Sequence, residues 1–185
     1  MRPERNASLP QVMTGDDMSR ATSRIAHEIL ETHRGPDDLV LVGIHTRGVY
    51  LARSLGSTID RFEHTAIPVG QLDVGQYRDD RHVRTDIELK ATNIPVSIEG
   101  KRVVIVDDVL FTGRTVRAAL DALTGIGRAL TTELAVLIDR GHRELPIRAD
   151  YVGKNLPTSL DEMVKVRVQA VDGADGVWID RRAVA

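Results

Sequence analysis

The stretch VVIVDDVLFTGRT, Val103 to Thr115, constrains this chain more than any other. Its four leading β-branched residues, Val103 to Val106, form an unbroken apolar run, which suits a strand covered on both faces. The run meets two carboxylates, Asp107 and Asp108, and Thr112-Gly113-Arg114-Thr115 follows shortly after. Beyond it, Val116, Ala119, Leu120 and Leu123 recur at i, i+3, i+4 and i+7. That spacing predicts a helix starting near Arg114 or Thr115. The unit is therefore strand, loop, helix, and open α/β sheets bind ligands beyond the carboxyl ends of their strands.

The residue types say what such a ligand would be. A helix N-terminus offers unpaired backbone N–H groups and the positive end of a dipole, so it attracts an anion. Gly113 lets the backbone approach closely, and Thr112 and Thr115 add hydroxyl donors. Asp107 and Asp108 would repel a phosphate. They suit sugar hydroxyls, or a magnesium ion held with its waters. Carboxylates beside a phosphate cradle describe a sugar-phosphate pocket. Other nucleotide motifs are missing: there is no G-x-x-x-x-G-K-[ST], and Gly125-x-Gly127 lacks a third glycine and a preceding strand.

The rest of the chain alternates in the same manner. Met18, Ala21, Ile25 and Ile29 share one helical face, with Asp16 and Asp17 at the N-terminus and Gly35-Pro36 beyond the end. LVLVGI, Leu39 to Ile44, predicts a strand, and a second helix runs through Tyr50, Leu51 and Leu55. HTAIPVGQLDV, from His64, reads as another strand. Residues 75–95 are polar and charged and predict a hairpin or a mobile flap. TTELAVLID is a strand, residues 140–157 read as irregular connecting structure, and EMVKVRVQAV and GVWID close the chain as two short strands. Residues 1–15 read as a loose or short extended lead-in. Alternating strands and helices imply one α/β domain around a mostly parallel sheet.

Composition limits the function classes. The 185 residues suffice for one domain with a real core, and at 3% aromatic content aliphatic side chains must fill it. A formal net charge of −2 gives no global pull toward nucleic acid, so any basic site must be a local patch. The absence of cysteine removes disulfides and thiolate metal sites and fits a reducing, cytoplasmic setting. No apolar stretch reaches the roughly 20 residues of a membrane span, and MRPERNASLPQ lacks the apolar centre of a secretory signal. No H-x-x-x-H or H-E-x-x-H spacing points to a transition metal.

The opening stretch resembles the phosphoribosyl-pyrophosphate (PRPP) motif of type I phosphoribosyltransferases. Four further stretches narrow the resemblance to the PyrR family of pyrimidine operon regulators, which are also uracil phosphoribosyltransferases. They are SRIAHEIL at Ser23 to Leu30, VGIHTRGVYLA at Val42 to Ala52, YRDD at Tyr77 to Asp80, and AVLIDRGHRELPIRADYVGKNLPTS at Ala135 to Ser159. The likeness covers nearly the whole chain from about residue 11 and is weakest across RHVRTDIELKATNI, residues 81–94.

The resemblance implies a type I phosphoribosyltransferase fold with a small hood and a flexible flap over residues 75–95, the segment 140–157 forming the hood over the base. It implies that uracil and PRPP are converted to UMP and pyrophosphate, with Mg2+ as cofactor. Thr112, Gly113, Arg114 and Thr115 would hold the 5-phosphate, with Val109, Leu110 and Phe111 in the same nucleotide-binding stretch. Asp107 and Asp108 would contact ribose hydroxyls, the magnesium or its waters. Thr46, Arg47 and Gly48 would form the pyrophosphate loop, Arg78 on the flap would reach the pyrophosphate, and Arg140 and Val164 would lie near the base.

PyrR proteins also bind a messenger RNA leader under nucleotide control and form homodimers or higher homo-oligomers. Candidate RNA contacts are Arg20, Arg24 and His27 on the first helix, with His142, Arg143, Arg148 and Lys154 further along. Two other functions remain open on the sequence: a non-catalytic RNA-binding regulator that uses the pocket only to sense UMP or PRPP, and a purine phosphoribosyltransferase with the same core.

Overall fold

The most apolar segment of the chain lies at the middle of a sheet. The computed structural model describes residues 9–77 and 91–181. Its first elements are β1 (Gln11–Thr14), α1 (Gly15–His33), β2 (Leu39–Ile44), α2 (Arg47–Glu63) and β3 (Val69–Leu72). Then come β4 (Arg102–Leu110), α3 (Arg114–Ile126), β5 (Thr131–Asp139), β6 (Tyr151–Asn155), β7 (Met163–Arg167), α4 (Gln169–Asp172) and β8 (Gly176–Asp180). Five strands form an all-parallel sheet in the order β3-β2-β4-β5-β6. With β4 central and helices on both faces, every inner strand must be apolar on both sides, and the unbroken runs of β2, β4 and β5 follow from that.

Alternate residues divide the core into two layers. Leu39, Leu41, Val104, Val106, Ala135 and Leu137 pack with Ile25, Ile29, Leu55 and Ile59 of α1 and α2. Val40, Val42, Val103, Ile105, Leu134 and Val136 pack with Val116, Ala119 and Leu123 of α3. Each fully buried Ile or Leu contributes roughly 1.5–3 kcal/mol. α1 starts in a capping box: the Thr14 hydroxyl accepts from the Asp17 N–H at 3.2 Å, and the Asp17 carboxylate accepts from the Thr14 N–H at 2.9 Å. It ends at Arg34 in the left-handed conformation.

A second, antiparallel sheet has the order β1-β8-β7 and joins the first described strand to the last two. Met13, Val166, Val168 and Val177 bury it against the α1 and α2 layer. With α4 this sheet forms the small hood. Residues 140–157, expected to be irregular, are so only in part. Their first part follows the carboxyl edge of the main sheet, and their second is β6, its outer strand. Gly153 weakens the strand signal in the sequence, yet β6 requires it: a Cβ there would stand 2.5 Å from the Leu137 carbonyl oxygen.

Two other elements are shorter than expected. The strand anticipated from His64 begins only at Val69, because His64 turns left-handed to close α2 and Pro68 has no N–H for a ladder. EMVKVRVQAV leaves the strand conformation after Arg167, where the Asp172 carboxylate accepts from the Val168 N–H at 2.9 Å and turns the chain into α4. Within residues 75–95, expected to form a hairpin or flap, Gly75–Tyr77 forms a single 3-10 turn, and Asn93 bridges antiparallel to Gln71. Residues 78–90, Arg78 included, lie outside the described residues, as do residues 1–8 of the lead-in. Among the described residues no helix is long and apolar enough to cross a membrane.

Candidate active site at the carboxyl edge of the sheet

β4 extends through both aspartates to Leu110, so Asp107 and Asp108 sit inside the strand, two residues earlier than a strand terminus would place them. Asp107 is buried, and its carboxylate accepts from the Asp108 N–H at 2.9 Å. The Asp108 carboxylate accepts from the Val109 N–H at 2.9 Å. Burial pushes the Asp108 carboxyl above its ordinary range, against the opposing pull of a hydrogen bond with Asp107 and the positive charge of Arg47. Val109 packs toward the α1 and α2 layer, and Leu110 is buried in the α3 layer. Both side chains therefore serve the cores, and the Leu110 carbonyl accepts from the Arg140 N–H at 3.1 Å.

Gly113 occupies the α3 N-cap with φ 92°, a left-handed conformation that glycine adopts without strain. It has no side chain to cap the helix, so the first turn is presented for an anion. Thr112 turns its hydroxyl to the Arg114 N–H at 3.4 Å, while its carbonyl accepts from Glu144 and Leu145. Arg114 Nε donates to Glu144 at 2.7 Å, which ties the turn to the chain beyond β5.

Thr46-Arg47-Gly48 stands beside this turn at the same edge. β2 and β4 are neighbours, and α2 begins one residue after the cis His45–Thr46 peptide. A Cβ on Gly48 would lie 2.4 Å from the Val106 carbonyl oxygen, so glycine brings the α2 N-terminus against β4 at Asp107. Two helix N-termini thus flank one pair of carboxylates. Arg47 is held by Asp172 of α4, with Nε donating at 3.0 Å and Nη2 at 2.7 Å. This pairing raises the arginine further above its usual value and lowers the Asp172 carboxyl below its own.

Arg140 follows β5, and its guanidinium carbon lies 4.1 Å from the centre of the Phe111 ring. It is 6% exposed, donates from Nε to Thr158 and from Nη2 to the Ser159 carbonyl, each at 3.0 Å. Burial lowers the arginine below its usual value. His142 meets the same ring edge-on at 6.0 Å. Val164 is half-buried on β7, paired with Ile179 in the hood.

Magnesium keeps several waters and takes one or two carboxylates together with substrate phosphates. Adjacent carboxylates beside two anion-attracting helix ends fit an ion bound jointly with a diphosphate. Among the described residues no group of three or more His, Cys, Asp or Glu side chains forms a complete cage.

The structure brings the PRPP candidates 46–48 and 107–115 to one edge, with Arg140 behind Phe111. Six of the seven proposed RNA contacts bond or stack within the chain, Arg148 being the exception. Arg20 pairs with Asp17 at 2.6 Å. Arg24 pairs with Glu28 and donates to the Val152 and Gly153 carbonyls of outer strand β6. His27 stacks on Phe62 at 4.0 Å. Lys154 donates to the Val12 carbonyl, and His142 contacts that of Thr158. Arg143 bonds Asp139 and the Phe111 carbonyl, and Arg148 is exposed near Asp139. The sequence reading missed Asp172, Glu144 and Thr158. An acidic or hydroxyl residue far along the chain carries no mark of the partner that folding gives it.

Comparison with known proteins agrees with this geometry. The sequence matches the phosphoribosyl transferase domain over residues 11–169. It is 58% identical over 172 residues to the Bifunctional protein PyrR of Chloroflexus aurantiacus, covering 92% of this chain and 94% of the relative. It is 55% identical over 175 residues to that of Streptomyces coelicolor, covering 94% and 91%. Among solved structures, a hypoxanthine phosphoribosyltransferase from Staphylococcus aureus superposes with a TM-score of 0.71 at 23% identity, covering 96% of both chains, a likeness of fold.

Proposed function

We infer the function of this chain from one premise: it belongs to the phosphoribosyltransferase family and, within it, to the PyrR proteins. It acts as a uracil phosphoribosyltransferase and pyrimidine regulator. The observation that carries the catalytic reading is the close packing of Gly48 on β4, which sets the α2 N-terminus against Asp107.

The C1–O bond of PRPP breaks and its electron pair leaves with pyrophosphate, while uracil N1 bonds to C1 and releases its proton. Charge develops on the ribose ring and the leaving group, so catalysis rests on positioning and electrostatic stabilisation. Thr112, Gly113, Arg114 and Thr115 take the 5-phosphate at the α3 N-terminus. Thr46, Arg47 and Gly48 take the diphosphate. Asp107 and Asp108 orient the ribose hydroxyls and would hold a magnesium ion, which when bound neutralises diphosphate charge. Asp108, with its carboxyl pushed up by burial, is suited to accept the uracil proton. Arg140, steadied by Phe111, Thr158 and Ser159, borders the base together with Val164. Arg78 is assigned to the pyrophosphate from the sequence alone.

Uracil, hypoxanthine and guanine offered separately with PRPP and magnesium test this reading. UMP formed from uracil alone, and lost in an Asp107→Asn, Asp108→Asn variant, is the expected result. Binding of UMP without turnover of any base would leave a nucleotide sensor in place of an enzyme, and turnover of a purine base would leave a purine phosphoribosyltransferase.

The regulatory part of the reading places a messenger RNA leader on the surface joining α1 to β6. Arg20 and Arg24 keep 71% and 49% of their side chains exposed there. Arg24 reaches the carbonyls of β6, and Lys154 of the same strand reaches β1. His27, His142, Arg143 and Arg148 complete the assignment, in a homodimer or larger homo-oligomer. Phosphate contacts of this kind are salt-dependent. Leader binding should weaken steeply with salt, and Arg20→Ala with Arg24→Ala should flatten that dependence while leaving UMP formation unchanged.

A further inference from the structure

The geometry points to Asp172 as a positioning residue: a carboxylate on the hood that fixes the Arg47 guanidinium for the diphosphate. This rests on the phosphoribosyltransferase reading and extends it to a residue outside the motifs. The pair is bidentate, with Nε and Nη2 donating at 3.0 and 2.7 Å. Two parallel bonds fix the plane of a guanidinium as well as its place, which a single contact leaves free to rotate. The Arg47 and Asp172 side chains are 35% and 18% exposed, so water competes only in part for the contact.

Asp172 is itself held. Its Oδ2 accepts from the Val168 N–H at 2.9 Å, so one carboxylate closes the α4 turn and grips Arg47. The Asp108 charge also acts on Arg47. Asp172 draws the guanidinium toward the hood and keeps it from collapsing onto Asp108, a carboxylate assigned to the ribose and magnesium. Without Asp172 the arginine would neutralise that carboxylate and move off the diphosphate position.

The test uses full-length protein and PRPP with magnesium, read by calorimetric affinity and by steady-state kinetics. Asp172→Ala and Asp172→Asn should each weaken PRPP binding about tenfold, or about 1.4 kcal/mol, with KM for uracil within about twofold of the parent. The Asn variant keeps an acceptor for the Val168 N–H, which guards against simple loss of the α4 turn. Asp172→Glu should recover most of the affinity. In an Arg47→Ala background, adding Asp172→Ala should cause no further loss, because the carboxylate acts through the arginine. Unchanged PRPP affinity in the Ala and Asn variants, or an equal further loss in the Arg47→Ala background, overturns the proposal. If the parent binds PRPP but turns over no base, the catalytic reading fails while the affinity series still decides the role of Asp172. If the parent does not bind PRPP, both fail.

Discussion

Gly48 and Val106 touch so closely that a Cβ on the glycine would stand 2.4 Å from the valine carbonyl oxygen and 3.2 Å from the Asp107 Cα. Neither neighbour can yield, since both are backbone of the central strand. Gly48→Ala should displace the α2 N-terminus and lower turnover on the order of a hundredfold, as small misplacements of catalytic groups do. Overpacking should also destabilise the fold by about 1–3 kcal/mol. Kinetics and denaturant midpoints read both effects, and wild-type turnover with a wild-type midpoint in this variant would refute the packing argument.

Burial raises the Asp108 carboxyl, and the sign of two pH effects follows. As proton acceptor it must be ionised, so kcat/KM should fall toward acid pH, and Asp108→Asn should remove that fall from the residual activity. For stability, a carboxyl whose folded pKa exceeds its unfolded value favours the fold at low pH and loses that contribution as pH rises. Asp108→Asn, an uncharged mimic, should therefore unfold at a higher temperature than the parent at neutral pH. The gap should close in acid. A variant less stable than the parent at pH 7 would show that the carboxylate is well paired instead.

Arg140 meets Phe111, Thr158 and Ser159 in a buried setting, and it is assigned to the base alone. Arg140→Lys keeps the charge and loses the planar fork. KM for uracil should rise about tenfold with PRPP affinity unchanged, consistent with about 1–1.5 kcal/mol for a lost oriented hydrogen bond. Equal losses for both substrates would move Arg140 from the base pocket to general scaffolding.

The capping box of α1 predicts a separate acid effect. Hydrogen bonds from Thr14, helped by Arg20, hold the Asp17 carboxyl at about 2, below its ordinary 3.8. Stability from a lowered carboxyl is present above the unfolded value and is lost as pH falls through the folded one. Thermal scans between pH 4 and pH 2 should show that loss in the parent, and Asp17→Asn should flatten it. Thr14→Ala should cost about 1 kcal/mol at neutral pH.

Much of this molecule was legible from local pattern. Leu39–Ile44 and Thr131–Asp139 occur where their apolar runs predict, and α3 starts at Arg114. Those signals are periodic or sit at fixed offsets, so neighbours along the chain carry them. The outer strand β6 was not legible, because Gly153 looks like a breaker until Leu137 is seen beside it. Arg24 gave no sign that it would cover the edge of that strand, 128 and 129 residues away.

By itself the sequence determined the alternation of strand and helix, the two-sided burial of the central strands, and the run from Asp107 to Thr115 that is assigned to a sugar phosphate. These depend on residue type and spacing, which are properties of adjacent positions. Only the tertiary structure decided that β1 and β8 pair in one hood sheet, that β4 runs past its carboxylates to Leu110, and that Arg47 pairs with Asp172, 125 positions away. Strand order and helix placement choose such partners, and many acidic residues along the chain could have satisfied that arginine equally well. The physical reason is that a charge or hydrogen-bonding group specifies the kind of partner it needs, while the packing of the whole core specifies which one it meets.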